Sequence, residues 1–269
     1  MSGGALLVCA TPIGNLDDVT PRVIEALRGA DAAACEDTRR SRTLLQRHGL
    51  SLPLVALHEH NEAARSPELL DRVAAGQRIC LLTDAGMPAV SDPGARLIAE
   101  ALERELPVEV LPGASAVTTA LVASGMAGGG FVFAGFLPRG DTQIGRLLDR
   151  LDQSGLPVVC FESPRRLPAT LRMLASRSPS REVAVCRELT KLHEEVLRGS
   201  AEELADRLAA PPRGEITLVL GAVRDAGPAL PDPALLDELA AALGPSRAAA
   251  VAARLTGLPR SALYRGRRG

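Results

Sequence analysis

Aromatic side chains are scarce in this chain: four Phe, one Tyr and no Trp in 269 residues. Recognition of bases on a stacking platform is therefore not expected, and any nucleic acid would be held chiefly through backbone phosphate. Lysine is scarcer still, since 30 of the 31 basic residues are arginine and the one lysine is Lys191. A dominant charge is absent too. The net charge is −1, so an anionic partner must be met by local patches and not by a global field. No apolar run approaches the ~20 residues of a membrane-spanning helix, and the start, Met1-Ser2-Gly3-Gly4 before a short apolar run, has no basic region, so no export signal is expected. Cysteines 9, 35, 80, 160 and 186 are widely spaced, mostly inside apolar runs and without a Cys-x-x-Cys pair. That is the pattern of buried thiols in a reducing cytoplasm, not of a disulfide framework or a zinc site. Gly-x-Gly-x-x-Gly and Walker loops are also missing, which disfavours NAD and ATP.

What is present is a repeated strand and helix grammar. Short apolar runs at 5–10, 32–35, 54–57, 79–82 and 108–111 alternate with amphipathic stretches, and Thr20-Pro21 and Ser66-Pro67 each place a cap residue before a proline suited to a first helical turn. Alternation of this kind predicts a largely parallel sheet. After Pro112-Gly113 come a small-residue helix over 114–124 and further strands at 131–136, 158–161, 183–186 and 216–220, with Ser163-Pro164 opening a helix and Ser200 with Glu203 forming a capping box. The expected class is α/β: an N-terminal α/β domain over 1–111, a second with its own sheet over 112–225, and a helix-turn-helix-like module over 232–269 beyond a Pro-rich linker.

The loop Thr83-Asp84-Ala85-Gly86-Met87-Pro88-Ala89-Val90-Ser91-Asp92-Pro93-Gly94 follows the fourth expected strand. Loops at the carboxyl ends of strands in open α/β sheets bind small ligands, and this one joins close-approach glycines, φ-fixing prolines and two carboxylates. Its plainer role would be a tight turn in which Asp92 caps the next helix. After the second strand, Glu36-Asp37-Thr38-Arg39-Arg40-Ser41-Arg42 puts guanidinium groups at a helix start, where they oppose the helix dipole; phosphate binding accounts for them, although a solvated turn would also hold them. The retention of lysine at 191 in so arginine-rich a chain points to a job that guanidinium cannot do: a base toward a hydroxyl, or a compact cation that lowers the hydroxyl's pKa, with Glu188 as its orienting neighbour. Glu36, Glu62 and Glu162 are the next candidates for a base. His58 and His60 alternate and, with Glu62, could suggest a metal, but no third well-spaced ligand is evident.

Several of these segments together carry a resemblance: Ala-Thr-Pro-Ile-Gly-Asn-Leu (10–16), Glu-Asp-Thr-Arg (36–39), His-Glu-His-Asn-Glu (58–62), Asp-Ala-Gly-x-Pro-x-x-Ser-Asp-Pro-Gly (84–94), Pro-Gly-x-Ser-Ala (112–116), Gly-Phe-Leu-Pro (135–138) and Arg-Glu-Leu-Thr-Lys (187–191). In this order they resemble the small-subunit ribosomal RNA methyltransferase I family of the tetrapyrrole-methylase superfamily. The resemblance implies S-adenosylmethionine in a cleft between two α/β domains, no metal, and 2′-O-methylation of a cytidine in the decoding region of 16S ribosomal RNA. It also implies a homodimer in the cytoplasm and a small helical C-terminal segment. Met87, Ala89 and Ala114 depart from the usual Thr, Gly and Pro, and Ser163-Pro164-Arg165-Arg166 replaces Ala-Pro-His-Arg, all in loops that would touch cofactor or RNA. The expected cofactor contacts are Thr11, Pro12, Gly14, Asp84, Gly86, Met87, Pro88, Val90, Ser91, Ser115, Ala116 and Phe161; the catalytic pair is Lys191 with Glu188; the RNA contacts are Arg39, Arg40, Arg42, Arg165, Arg260 and Arg265. Two other functions fit parts of the pattern. A methylase acting on a small tetrapyrrole leaves the Arg39–Arg42 cluster unexplained, and a non-catalytic RNA-binding assembly module would show no adenosylmethionine affinity.

Overall fold

The computed structural model describes residues 3–223, 233–256, 258, 260 and 263. Its first sheet is built from β1 (Ala5–Cys9), β2 (Ala32–Cys35), β3 (Leu54–Ala56), β4 (Arg78–Leu82) and β5 (Val108–Leu111), in the order β3-β2-β4-β1-β5 and parallel throughout. Both faces are covered, which is why β1 and β2 read as unbroken apolar runs and are buried at every position. Helices α1 (Pro21–Arg28), α2 (Thr38–Arg47), α3 (Glu62–Ala74) and α4 (Ala95–Glu103) return the chain between strands. As in any all-parallel sheet, every βα loop then emerges at one edge.

The second sheet holds β6 (Val132–Phe136), β7 (Val158–Glu162), β8 (Glu182–Arg187), β9 (Glu195–Ser200) and β10 (Ile216–Leu220), ordered β6-β7-β10-β8-β9. Only β6 and β7 are parallel; the other pairs run antiparallel. β9 has no counterpart among the expected strands, because Glu195-Val-Leu-Arg-Gly-Ser200 lies at a sheet edge and needs no continuous apolar run. Helix α5 (Ala116–Ser124) packs on this sheet, and its Val117, Ala120 and Leu121 share a core with Val159, Ala184, Cys186, Leu189 and Val219. Ile13, from the loop after β1, joins that same core and so fastens the first sheet's loop edge to the second sheet. Helices α6 (Asp141–Asp152), α7 (Leu167–Arg177) and α8 (Ala201–Arg207) cover the opposite face through Ile144, Leu148, Leu171, Leu174 and Leu204. Two further helices, α9 (Pro233–Leu243) and α10 (Pro245–Thr256), pack on each other. The Pro-rich linker over 226–232 and most of the expected C-terminal module beyond residue 256 lie outside the described residues.

Local signals held where cap chemistry is short-range. Thr20 Oγ1 accepts from Val23 N with Pro21 at the first helical turn, and Ser200 with Glu203 closes a full capping box. Two expected starts are corrected. Ser66 is not a cap: α3 begins four residues earlier, Ser66 Oγ donates back to Glu62 O, and Pro67 sits inside the helix. Ser163-Pro164 forms a turn, whose Ser163 carbonyl accepts from Arg166 N and Leu167 N before α7 begins.

Candidate functional site

Two cavities adjoin where the loops of the first sheet meet the second sheet. The larger, of about 530 Å³, is walled by Ile13, Met87, Val90, Ala116, Val117, Phe136, Phe161 and Ile216, and carries the carboxylates of Glu36, Asp84, Asp92, Glu162 and Glu215 with Arg40 as its basic member. The smaller, of about 300 Å³, is lined by Thr11, Pro12, Gly14, Leu16, Arg40, Thr43, Thr83, Asp84, Lys191 and Glu215 among others. Both volumes fall within or at the lower edge of the ~300–1,000 Å³ of small-molecule sites.

Backbone strain concentrates here. Among the described residues, those other than glycine with left-handed φ are Ala89 (67°), Ser91 (65°), Glu188 (52°) and Thr190 (65°), with Glu105 outside the site. Each costs on the order of 1–3 kcal/mol, and such strain persists where surrounding structure over-determines it. Restraint on the 83–94 loop is visible. Thr11 N donates to Gly86 O (2.8 Å) and Gly86 N to Thr11 O (3.1 Å), which ties the loops after β1 and β4 together. Asp84 Oδ1 accepts from Asp37 N (3.1 Å), and its Oδ2 lies 3.4 Å from Arg40 Nη1, so this carboxylate joins the loop after β2 to the same assembly. Asp92 does not cap α4. Glu62 Oε1 does so from another element, accepting from Gly94 N (3.1 Å), Arg96 N (2.9 Å) and Leu97 N (3.1 Å).

Lys191 lies in the turn after β8. Its Nζ donates to Glu188 Oε1 (2.8 Å) and Glu215 Oε2 (2.9 Å). Burial works against its charge, but the bonds to Glu188 and Glu215 outweigh that and hold the ammonium above the ordinary lysine value. Of the two roles expected for Lys191, base or compact cation, this arrangement favours the cation. The hydrogen bond from Lys191 in turn depresses the Glu188 carboxyl. The fallback bases narrow as well, since Glu62 is spent on α4 and buried Glu162 receives Ser163 N, Thr170 Oγ1 and the Arg166 guanidinium. Glu36 remains in the larger cavity, raised above its usual range by burial and then by the charges of Asp84 and Asp92; Asp92 is raised by its own burial. Cys186 also lines this cavity, where burial pushes its thiol up to about 11, so it is no nucleophile at neutral pH.

The expected cofactor contacts divide. Asp84, Gly86, Met87, Val90, Ser91, Ser115, Ala116 and Phe161 line the larger cavity, whereas Thr11, Pro12 and Gly14 line the smaller one and buried Pro88 lines neither. Gly14 also makes a close approach within the protein itself. A Cβ there would lie 2.5 Å from Lys191 Cγ and 2.7 Å from Leu189 O, so glycine is needed to admit the Lys191 turn. Ser115 occupies the N-cap of α5 without a side-chain capping bond, which leaves its hydroxyl and the first helical amides available to a ligand.

Among the arginines, Arg39 is exposed and paired with Asp37, Arg40 borders both cavities, and Arg42, Arg165 and Arg260 are exposed; Arg265 lies outside the described residues. Glu215 and Phe136 were missed. Glu215 gains its role from a tertiary contact 24 residues from Lys191, and Phe136 was passed over because aromatics are scarce. Those few are concentrated here: Phe133 and Phe136 each lie beside Phe161, with ring centroids 5.2 and 5.3 Å apart. His58 and His60 meet edge to face at 6.1 Å, and among the described residues no group of three or more His, Cys, Asp or Glu is arranged to hold a metal. Nor is any described helix long and apolar enough to cross a membrane.

Comparison with known proteins bears on this site. Residues 5–205 match the family model of the tetrapyrrole (corrin/porphyrin) methylases, and residues 232–265 match that of the RsmI C-terminal HTH domain. Proteins named ribosomal RNA small subunit methyltransferase I are similar over most of the chain. That of Mesorhizobium japonicum is 45% identical, covering 97% of this chain and 90% of the relative; that of Synechocystis is 41% identical, covering 97% and 96%. Among solved structures, the uroporphyrin-III C-methyltransferase of Thermus thermophilus complexed with S-adenosyl homocysteine matches with a TM-score of 0.59 at 19% identity, covering 81% of this chain and 97% of that one. A diphthine synthase matches with a TM-score of 0.63 at 16% identity, covering 81% and 89%. These two show the shared fold.

Proposed function

Because the chain belongs to the tetrapyrrole methylases and, within them, to the ribosomal RNA small subunit methyltransferase I enzymes, we propose that it methylates the 2′-hydroxyl of a cytidine in the decoding region of 16S ribosomal RNA, using S-adenosylmethionine. The observation that carries this reading is the pairing of an acidic, apolar-walled cavity with a smaller one that holds a fixed ammonium. The larger cavity suits the cofactor on three counts. Its carboxylates outnumber Arg40, and burial together with the charges of Asp84 and Asp92 raises Glu36, an environment that a cationic ligand relieves. Phe161, Phe136 and Met87 offer apolar surface to a purine ring. The uncapped start of α5 would take a carboxylate.

When bound, S-adenosylmethionine would supply an electrophilic methyl carbon to the hydroxyl oxygen, whose proton would pass to water, while the carbon–sulfur electron pair would leave with sulfur as a neutral thioether. Lys191 acts as a cation that stabilises negative charge on the accepting oxygen, and Glu188 and Glu215 keep its ammonium in place. The 83–94 loop, strained at Ala89 and Ser91, presents its backbone to the cofactor. Arg39, Arg40 and Arg42 on the first turns of α2 contact phosphates of the RNA, with Arg165, Arg260 and Arg265 as further contacts. The reading places the enzyme in the cytoplasm, and as a homodimer. Light scattering checks that state.

The test is transfer of labelled methyl from S-adenosylmethionine to small ribosomal subunits, followed by mapping of the methylated ribose, with uroporphyrinogen as the competing acceptor. Replacing the exposed Arg39 and Arg42 together by alanine is expected to weaken subunit binding and lower its salt dependence by roughly one charge per lost phosphate contact, while adenosylmethionine affinity stays at the wild-type value. An unchanged salt slope would remove these arginines from the interface.

A further inference from the structure

A carboxylate taken out of water is costly unless its oxygens are paired. Glu162, at the end of β7, is 2% exposed although it lines the larger cavity, and both of its oxygens are engaged. Oε1 accepts from Ser163 N (2.6 Å) and lies 3.1 Å from Arg166 Nε; Oε2 accepts from Thr170 Oγ1 (2.7 Å) and Arg166 Nη2 (3.1 Å). The guanidinium held in this way meets a second set of acceptors, because Arg166 Nη2 also donates to Leu137 O (2.9 Å) and Pro138 O (2.6 Å). Those carbonyls follow Phe136 directly. Resting on the functional reading above, which places the cofactor in the larger cavity, we infer that Arg166 is a positioning residue for cofactor binding: oriented by Glu162, it fixes the backbone that sets the Phe136 ring as part of the cavity wall.

Phe136 needs such support. β6 is an edge strand of its sheet, and its pairing with β7 shifts register between Phe133 and Phe136. Gly135, within that shift, has φ +65°, and a Cβ there would lie 3.6 Å from Ser91 Oγ, so the irregularity brings β6 against the 83–94 loop. Irregularities of this kind at sheet edges re-aim a side chain. Here the ring of Phe136 is turned onto Phe161, with centroids 5.3 Å apart, yet the residue is still 60% exposed. A side chain so exposed has little packing of its own to hold it, and its place follows from the backbone beside it. On the C-terminal side Leu137 N donates to Phe161 O (3.1 Å), while Arg166 takes the Leu137 carbonyl and the one after it. Pro138 has no N–H to donate, so bonds to carbonyls are the means by which this corner is held. A lysine at 166 would keep a positive charge beside Glu162, but its ammonium lacks the planar fork that reaches a carboxylate and two carbonyls together.

The experiment measures adenosylmethionine affinity by calorimetry in the full chain for Arg166→Lys, Phe136→Ala and the double variant, together with KM and kcat for transfer to small ribosomal subunits. Phe136→Ala should weaken affinity about tenfold, the scale of one aromatic contact, and Arg166→Lys about fivefold, with the loss in KM for adenosylmethionine and kcat within about twofold of wild type. Because Arg166 acts through Phe136, the double variant should bind no more weakly than Phe136→Ala alone. Losses that multiply to about fiftyfold, unchanged affinity in either single variant, or an Arg166→Lys loss confined to kcat or thermal stability overturn the positioning role and leave the functional reading intact. If Arg166→Lys does not fold, Thr170→Val takes its place, removing one bond from Glu162: affinity should weaken about threefold, and the effect should disappear when Phe136 is alanine. Unchanged affinity or a persisting effect there overturns the role. Wild-type protein without measurable adenosylmethionine affinity overturns the functional reading, and this inference falls with it.

Discussion

Gly14 and Gly86 hold glycine for different reasons, and exchanging each for alanine separates the two cavities. At Gly86 a Cβ would have room, its nearest neighbours being Ile13 Cγ2 at 3.6 Å and Ala114 O at 3.8 Å, but φ is +84°. Left-handed backbone costs a residue with a Cβ about 1–2 kcal/mol, so Gly86→Ala should relax the 83–94 loop and weaken the cofactor cavity that it lines. At Gly14 the difficulty is space. A Cβ there would lie 2.7 Å from Leu189 O, a backbone atom that cannot rotate away, and the 188–191 turn must retreat by about 0.7 Å to restore ordinary contact. Overpacking of this kind costs ~1–3 kcal/mol, equivalent to a fall in Tm of roughly 2–12 °C for a chain of this size. The retreat would also strain the bond from Asn15 N to Thr190 Oγ1 (3.0 Å) and carry Lys191 out of register. A misplacement approaching 1 Å costs ~10²-fold in turnover. Gly14→Ala should therefore bind adenosylmethionine within about threefold of wild type yet transfer methyl ~100-fold more slowly, whereas Gly86→Ala should lose affinity first. Calorimetry and single-turnover transfer distinguish them. Equal loss of cofactor affinity in both variants would refute the argument and return Gly14 to the cofactor site.

Glu62→Ala strips three backbone amides at the start of α4 of their acceptor and should cost ~1–3 kcal/mol in denaturant unfolding, with weaker cofactor binding because the 83–94 loop ends there; Glu62→Gln should keep most of that stability. Lys191→Arg should lose ~10²-fold in transfer while the fold survives, since a planar fork cannot take the place of a point charge held between Glu188 and Glu215 with Gly14 against its stem. The active form of Lys191 is the ammonium, and its folded pKa lies above the ordinary 10.5. Its contribution is thus fully present below 10.5 and lost only as pH rises through the folded value, so wild type should show no limb from this residue between pH 6 and about 10. A neutral-range limb in kcat that vanishes in Lys191→Arg would restore the base.

Much of the fold was legible because its determinants are local. Parallel strands buried on both faces announce themselves as apolar runs, and a Thr-Pro pair or a Ser-x-x-Glu box acts within one helical turn. Failure came where a residue's partner is remote. Ser66-Pro67 and Ser163-Pro164 look like helix starts by themselves, but the chain before α3 turns earlier and Ser163 is drawn into a turn. Glu62, read as a spare base or ligand, is bound to α4 some 32 residues on. The lysine argument was incomplete for the same reason. Composition singled out Lys191 as unusual, yet its ammonium is held by Glu188, three residues away, together with Glu215, which no spacing rule connects to it. Gly214, at φ +97°, packs against the Glu188 side chain and brings Glu215 alongside. A turn from one sheet, a glycine from another loop and two carboxylates thus hold the Lys191 ammonium in place. The chemistry of the site accordingly resides in the meeting of the two sheets, and a lysine transplanted with its local sequence alone would not reproduce it.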